Sequence, residues 1–182
     1  MNLQILYKYR GVLPFILFSI LLSTPGHVSM DRWFYLLVAG SLALRVWCRT
    51  YIGEHSRGSK FQAPRLIREG PYSLSRNPLY IANLLMGLSM IRLSGVSLGM
   101  QMGSFLLLTL QYGLLGYGEN IFLKSRFGDE YIQWSAHTPM WIGNFRFVKG
   151  IRKQSILNAF LADGSTWFFQ SIMIIMMMLI KN

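Results

Sequence analysis

The segment SLGMQMGSFLLLTLQYGLLGY, residues 97–117, contains no charged residue over its whole length. A helix needs roughly 20 mostly apolar residues to cross the hydrocarbon core of a bilayer. Hydrophobic residues make up 52% of the 182-residue chain and charged residues only 14%, against roughly 25% charged residues in soluble proteins. The segment and the composition together predict that this chain folds in a membrane.

Four further apolar segments surround this one, at about 6–23, 32–51, 78–93 and 156–180. The link SGVS, residues 94–97, is so short that the segments on either side of it should form an antiparallel hairpin. We therefore predict one domain over residues 1–182. Its fold class is all-α, a polytopic integral membrane helix bundle with about five transmembrane helices.

Two of these segments contain residues that interrupt helices. Pro14 lacks a backbone donor and predicts a kink in segment 6–23. Asp163 and Gly164 interrupt the first half of segment 156–180. That segment is either a full span or a surface helix followed by a short span.

The net charge of +11 fits this topology. With the N-terminus in the cytoplasm, most lysines and arginines fall on the cytoplasmic side, and only Arg32, Arg92 and Lys181 fall on the other. This asymmetry obeys the positive-inside rule, so we expect no nucleic-acid partner. The polar stretches 52–77 and 118–155 then form a cytoplasmic cap over the bundle. The brevity of the chain indicates the cytoplasmic membrane of a prokaryote.

The chain contains a single cysteine, Cys48. One cysteine excludes an internal disulfide and provides no metal-binding cluster. We therefore expect no metal among the partners of this protein.

Four short motifs occur between about residues 40 and 148. They are LRVWCRTYIG (44–53), GPYSLSRNPLY (70–80), ENIFLKSRFGDEYIQW (119–134) and TPMWIGNF (138–145). The second resembles the G-P-Y-x-x-x-R-H-P-x-Y signature of the isoprenylcysteine carboxyl methyltransferase and phospholipid methyltransferase superfamily. The third and fourth resemble the block with the pattern E-E-x-x-L-x-x-x-F-G-x-x-Y and its proline-containing tail. The ordered set carries the resemblance, since each fragment alone is weak.

The resemblance implies an integral membrane enzyme that binds S-adenosyl-L-methionine near the cytoplasmic face and takes a lipid-like acceptor from the bilayer. Arg76 can then pair with the cofactor carboxylate, and Glu119 can accept from its ammonium or ribose hydroxyls. The expected catalytic residues are Arg76, Glu119 and Arg45. The expected cofactor-binding residues are Gly70, Pro71, Tyr72, Arg76, Asn77, Pro78, Tyr80, Glu119 and Asn120.

Two positions depart from the pattern of the superfamily. Its R-H-P histidine is Asn77 in this chain, and its second glutamate is Asn120. An asparagine amide can donate a hydrogen bond but cannot carry a charge or shuttle a proton. Arg45 has two alternative roles, because it can extend toward the headgroups or point into the bundle toward an anionic substrate. His55 and His137 are candidate general bases in the cap.

The leading functional prediction is a membrane methyltransferase that methylates a lipid-like or amphiphilic acceptor. A carboxylate is the preferred group to receive the methyl group. It needs no base, whereas an ammonium or a thiol must first lose a proton. One alternative is a relative of the NADPH-dependent membrane sterol reductases, which are usually longer. The other is a non-catalytic membrane lipid-binding protein, which Asn77 and Asn120 favour.

Overall fold

A computed structural model describes residues 3–53, 63–141 and 147–181, and every regular element within these ranges is helical. The elements are α1 (Leu3–Lys8), α2 (Val12–Ser23), α3 (Arg32–Ile52), a short 3-10 helix (Gly70–Ser73), α4 (Pro78–Leu93), α5 (Leu98–Phe127), α6 (Asp129–His137), α7 (Ile156–Ala162) and α8 (Gly164–Lys181). The predicted all-α class is confirmed for the described residues.

The long helices run antiparallel, and one end of the bundle is fixed by the α4–α5 turn. Gly95 in this turn has φ +60°, and a Cβ atom there would lie 1.7 Å from the carbonyl oxygen of His27. Only glycine fits so close an approach. Lys181, at the end of α8, donates from Nζ to the carbonyl oxygens of Leu21 at 2.8 Å and Ser94 at 2.6 Å. The ends of α2, α4 and α8 therefore meet at this end.

The core between the helices is apolar, with Leu21, Ile91, Leu93, Leu115 and Met177 all buried. The outward face of α5 is also apolar, although it is exposed. Its exposed large side chains include Leu98, Met102, Leu106, Leu110, Leu114 and Tyr117. Soluble monomers rarely expose so long an apolar patch, so this surface favours a membrane environment.

Two described helices, α5 and α8, are long and apolar enough to cross a membrane. Helices α2 and α4 are apolar but shorter. The bounds of α4 are those predicted from the sequence, and α3 ends one residue later than predicted. The predicted hairpin of α4 and α5 is present.

Helix α5 is longer than the predicted segment 97–117 and continues to Phe127. Residues 118–127 were assigned to the polar cap, but they contain good helix formers and no proline. Gly128 ends the helix with φ +51°. Glu119 and Asn120 consequently lie on a helix that emerges from the bundle.

Segment 6–23 is two helices rather than one kinked helix. The break falls at residues 9–11, and Pro14 lies in the first turn of α2, where a missing N–H costs little. Gln111 donates from Nε2 to the carbonyl oxygen of Arg10 at 2.6 Å. This bond satisfies a carbonyl group at the break.

Segment 156–180 is also two helices, with the break at Asp163. The segment is therefore not one continuous helix: the short helix α7 precedes α8, which is long and apolar enough to cross a membrane. Whether α7 is a surface helix stays a prediction. The Asp163 carbonyl oxygen accepts from the backbone N–H of Thr166 at 2.8 Å and starts α8.

Candidate functional site

A cavity of about 1040 Å³ lies at the end of the bundle opposite the α4–α5 turn. Its volume is at the upper limit of the roughly 300–1,000 Å³ typical of small-molecule sites. Side chains from α1, α3, α4, α5, α6 and the α7–α8 junction line it. Six predicted site residues are brought together in this lining: Arg45, Tyr72, Arg76, Asn77, Tyr80 and Glu119.

The other four predicted site residues, Gly70, Pro71, Pro78 and Asn120, are not in the described lining. Gly70 has φ +61°, and a Cβ atom there would lie 2.4 Å from the Tyr51 ring. Pro71 and Pro78 start the 3-10 helix and α4, where a fixed φ favours helix initiation. These residues shape the segment that carries Tyr72 and Arg76.

The Arg76 guanidinium is held by neutral groups. Its Nη1 donates to the Asn120 side-chain oxygen at 3.5 Å and to the Tyr131 hydroxyl at 3.3 Å. Burial raises the pKa of Tyr131 above its usual value, so this hydroxyl stays uncharged at neutral pH. Because Asn120 replaces a glutamate of the resembled pattern, neither of these two contacts neutralises the charge of Arg76.

Asn77 connects the start of α4 to the segment after α6. It is buried, and its Nδ2 donates to the carbonyl oxygen of Met140 at 3.1 Å. The backbone N–H of the preceding residue, Arg76, donates to the carbonyl oxygen of Pro139 at 2.9 Å. The motifs at 70–80 and 138–145 are therefore in contact, although residues 142–145 of the second lie outside the described ranges.

The close packing around Asn77 can be tested by its effect on stability. A Cβ atom at Gly116 would lie 3.2 Å from Asn77 Nδ2 and 2.6 Å from the Met140 methyl group. A Cβ atom at Gly113, one turn earlier on α5, would meet nothing within 4 Å. We expect Gly116→Ala to lower the free energy of unfolding by about 1 kcal/mol relative to Gly113→Ala, because the Met140 methyl group can move aside but the hydrogen-bonded Asn77 amide must shift. Equal stability of the two variants in denaturant titrations would contradict this packing.

Glu119 projects into the cavity from α5. Its carboxylate accepts a hydrogen bond from Tyr80 and lies within electrostatic reach of Arg10. Tyr80 in turn packs against Tyr112, with 5.6 Å between ring centroids. The acid is thus positioned by two helices, and the turn after α1 places the Arg10 cation near it.

Two buried donors in the cavity lining, Arg76 Nε and Trp134 Nε1, find no acceptor among the described residues. The Tyr72 hydroxyl also lies in the lining, and it interacts with the Cys48 sulfur, which is a weak acceptor. Burial raises the pKa of Tyr72 well above its usual value, so its hydroxyl remains protonated. Buried polar groups are nearly always hydrogen-bonded in native proteins, and donors without an acceptor that face one cavity indicate a ligand rich in acceptors.

Arg45 lies in the cavity lining and is held there by residues of the protein itself, while its predicted role toward an anionic substrate stays a prediction. Its Nε lies 2.6 Å from an Asp163 carboxylate oxygen, and its Nη1 donates to Asn83. Arg49 Nε lies 3.2 Å from the other Asp163 oxygen. This cluster forms one wall of the cavity and fixes the orientation of the Arg45 guanidinium.

Sequence reasoning did not predict most of the other lining residues, and three of these carry polar groups that matter for the site: Tyr7, Arg10 and Asp163. Tyr7 and Arg10 lie outside the motif region, and nothing in their local sequence marks them. Asp163 offered a signal, because an acid inside an apolar segment usually has a charged partner, and Arg45 and Arg49 were available. His137 is exposed and lies outside the described lining, so its predicted role as a base has no support. His55 lies outside the described residues.

Comparison with known proteins gives one curated relative at low similarity. This chain is 31% identical over 151 residues to the cobalt-zinc-cadmium resistance protein CzcN of Cupriavidus metallidurans. The alignment covers 78% of this chain and 65% of that protein. No protein-family profile matches the chain, and no solved structure matches it.

This relative corrects one expectation drawn from the sequence. We expected no metal among the partners of this protein, but the relative is named for resistance to cobalt, zinc and cadmium. Metals therefore belong among the ligands that experiments on this chain must include. The described residues contain no group of three or more His, Cys, Asp or Glu side chains placed to hold a metal ion.

Proposed function

We propose that this protein is a membrane methyltransferase that uses S-adenosyl-L-methionine and belongs to the superfamily its motifs resemble. The observation that carries the proposal is the meeting of Arg76 and Glu119 in one cavity that also presents two donors, Arg76 Nε and Trp134 Nε1, without acceptors among the described residues. These residues come from separate motifs of the resembling region. A cation for a carboxylate and an acid for an ammonium are the complementary charges that a zwitterionic amino-acid moiety requires.

The cavity residues fit the cofactor in a simple way. Arg76 holds the carboxylate, while Glu119 accepts from the ammonium or the ribose hydroxyls. Tyr72 and Trp134 donate to the nucleoside, and their rings provide flat apolar surfaces for the base. When bound, the cofactor supplies an electrophilic methyl group on its sulfonium sulfur. The contribution of the protein is alignment of the acceptor with that methyl group, which can lower the barrier substantially.

The charges of the cavity favour an anionic acceptor, with a carboxylate preferred. The described lining contains more cations than acids: Arg10, Arg45, Arg65, Arg76 and Lys153 against Glu119 and Asp163. The cofactor itself has a net positive charge, so it does not balance this excess. An ionised carboxylate attacks without a base, and the methyl group passes to its oxygen while the C–S electron pair remains on sulfur.

We further propose that α2, α3, α4, α5 and α8 cross the cytoplasmic membrane of a prokaryote, with the N-terminus and the cavity on the cytoplasmic side. The basic residues support this orientation. Those at the cavity end include Arg10, Arg49, Arg65, Arg76 and Lys153, whereas Arg32, Arg92 and Lys181 lie on helix ends at the opposite side. This asymmetry is the one that the positive-inside rule describes.

The direct test combines binding and transfer. The purified protein in detergent is titrated calorimetrically with S-adenosylhomocysteine and, separately, with NADPH. It is then incubated with isotope-labelled cofactor and total membrane lipids, and products are identified by mass spectrometry. We expect binding of S-adenosylhomocysteine and a labelled methyl ester. Binding of NADPH instead would favour the reductase alternative, and neither binding nor transfer would favour a lipid-binding protein. Each titration is repeated with cobalt, zinc and cadmium ions present.

We predict that Glu119→Gln weakens S-adenosylhomocysteine binding by roughly 10-fold, because a charge-assisted hydrogen bond contributes about 1.5–3 kcal/mol. The amide retains the size of the side chain and one acceptor, so expression should be unaffected. The matched control is Glu130→Gln, whose exposed carboxylate pairs with Arg68 at 3.3 Å outside the described lining. Unchanged affinity in Glu119→Gln, measured by the same calorimetry, would remove Glu119 from the site.

A further inference from the structure

A second cavity of about 580 Å³ lies beside the last turns of α3 and shares no described lining residue with the first. Its lining consists of Trp47, Tyr51, Phe147, Lys149, Gly150 and Arg152. The rings of Trp47 and Phe147 form a tilted pair with centroids 6.1 Å apart. The groove therefore combines an aromatic wall with two cations, and no acid is among its described lining residues.

The chain around this groove alternates exposed apolar and basic residues. Phe147 and Val148 precede Lys149, and Ile151 precedes Arg152 and Lys153. Ile151 is 84% exposed, and Phe147 is 50% exposed. The following helix α7 adds Ile156, Leu157 and Leu161 as exposed apolar side chains. Apolar side chains interleaved with lysine and arginine are typical of segments that lie in the headgroup layer of a membrane.

The groove is held in place by backbone contacts. The Lys153 N–H donates to the Thr50 carbonyl oxygen at 2.7 Å, and Gln154 Nε2 donates to the Arg49 carbonyl oxygen at 2.8 Å. Gly150 packs against Glu69, whose Cβ would be only 2.3 Å from a Cβ at that position. The segment that carries Lys149 and Arg152 is thus fixed against α3, so the groove is preformed.

We propose that this groove binds the headgroup of an anionic phospholipid from the adjacent leaflet. Lys149 and Arg152 hold the phosphate, while Trp47 and Phe147 lie against the glycerol and the first acyl carbons. Arginine and lysine are the usual partners of phosphate, and tryptophan is enriched at the depth of the headgroups. An anionic lipid is favoured over a zwitterionic one, because a zwitterionic headgroup adds a cation beside two cations.

The test uses Trp47 as a reporter. The full chain is reconstituted in phosphatidylcholine vesicles, and brominated phosphatidylglycerol or brominated phosphatidylcholine is added in steps to quench tryptophan fluorescence. The difference between the natural protein and Trp47→Phe isolates the Trp47 signal. We expect phosphatidylglycerol to occupy the groove about 25-fold more tightly than phosphatidylcholine, five-fold for each cation. Equal quenching of Trp47 by the two lipids would overturn the proposal.

Charge variants separate the groove from general attraction to the membrane. Lys149→Gln/Arg152→Gln should abolish the preference for phosphatidylglycerol, and Lys149→Gln alone should reduce it about five-fold, which keeps the test usable if the double variant does not fold. The matched control Lys8→Gln/Lys124→Gln removes the same charge from helices α1 and α5 outside the groove. If the control variant lost its preference for phosphatidylglycerol to the same extent, the proposed lipid site would be wrong. The measurement needs no methyl donor, so its result is independent of the proposed function.

Discussion

Replacing Arg76 by alanine is expected to weaken binding of S-adenosylhomocysteine by about 10- to 100-fold. Its guanidinium contacts Asn120 and Tyr131, which are both neutral, and its Nε has no acceptor among the described residues. Hydrogen bonds to charged groups contribute about 1.5–3 kcal/mol each. The calorimetric titration described for the natural protein measures the effect.

The control for this variant is Arg68→Ala, a change of the same size and charge on the same connecting segment. Arg68 is about half exposed and pairs with Glu130 at 3.3 Å, and it is absent from the described cavity lining. We expect its affinity to equal that of the natural protein. If Arg76→Ala binds S-adenosylhomocysteine as tightly as Arg68→Ala does, then the cation at position 76 does not hold the cofactor carboxylate and the proposed site is wrong.

The helices of the bundle were predictable because local chemistry determines them. Pro78 and the apolar run after it define α4, and SGVS leaves no room for anything but a turn. Gly128 ends α5 because its φ of +51° suits glycine. Helix α5 exceeds its predicted length because hydropathy marks only its apolar part, whereas the helix continues through polar residues with good helix propensity.

The candidate site was predictable only where motifs mark it. Arg76 and Glu119 are identified by resemblance, and the structure places both in the same cavity. Tyr7 lies on α1 and Arg10 in the turn after it, where no motif marks them, and the packing of α1 against α5 brings them to the cavity. Such contacts depend on how helices pack rather than on any single segment, so one sequence does not reveal them.

Asn120 is another residue whose role in the site could not be predicted from the sequence alone. In the sequence it reads as a lost negative charge. In the structure its side-chain oxygen accepts from both Arg76 and Tyr131. The amide therefore positions the guanidinium without neutralising it, and a substitution that suggested lost activity is compatible with a cation available to a ligand.

The largest stability effect is expected at Asp163. Its side chain is buried and lies between Arg45 and Arg49, at 2.6 Å and 3.2 Å. Asp163→Asn keeps the size of the side chain and the carbonyl group that starts α8, but removes the charge between two guanidiniums. Breaking a buried ion pair by removing one partner costs about 3–5 kcal/mol, and we expect a loss of unfolding free energy of this size in denaturant titrations.

An ion pair of equal length at the other end of the bundle provides the control. Asp31 lies 2.6 Å from Arg92, but both side chains are substantially exposed. Water and salt screen such a pair, so Asp31→Asn should cost much less than Asp163→Asn. Similar losses in the two variants would show that burial does not strengthen the Asp163 cluster. Asp163 also orients the Arg45 guanidinium. If a stable Asp163→Asn variant bound an anionic acceptor with full affinity, the predicted role of Arg45 in the site would be wrong.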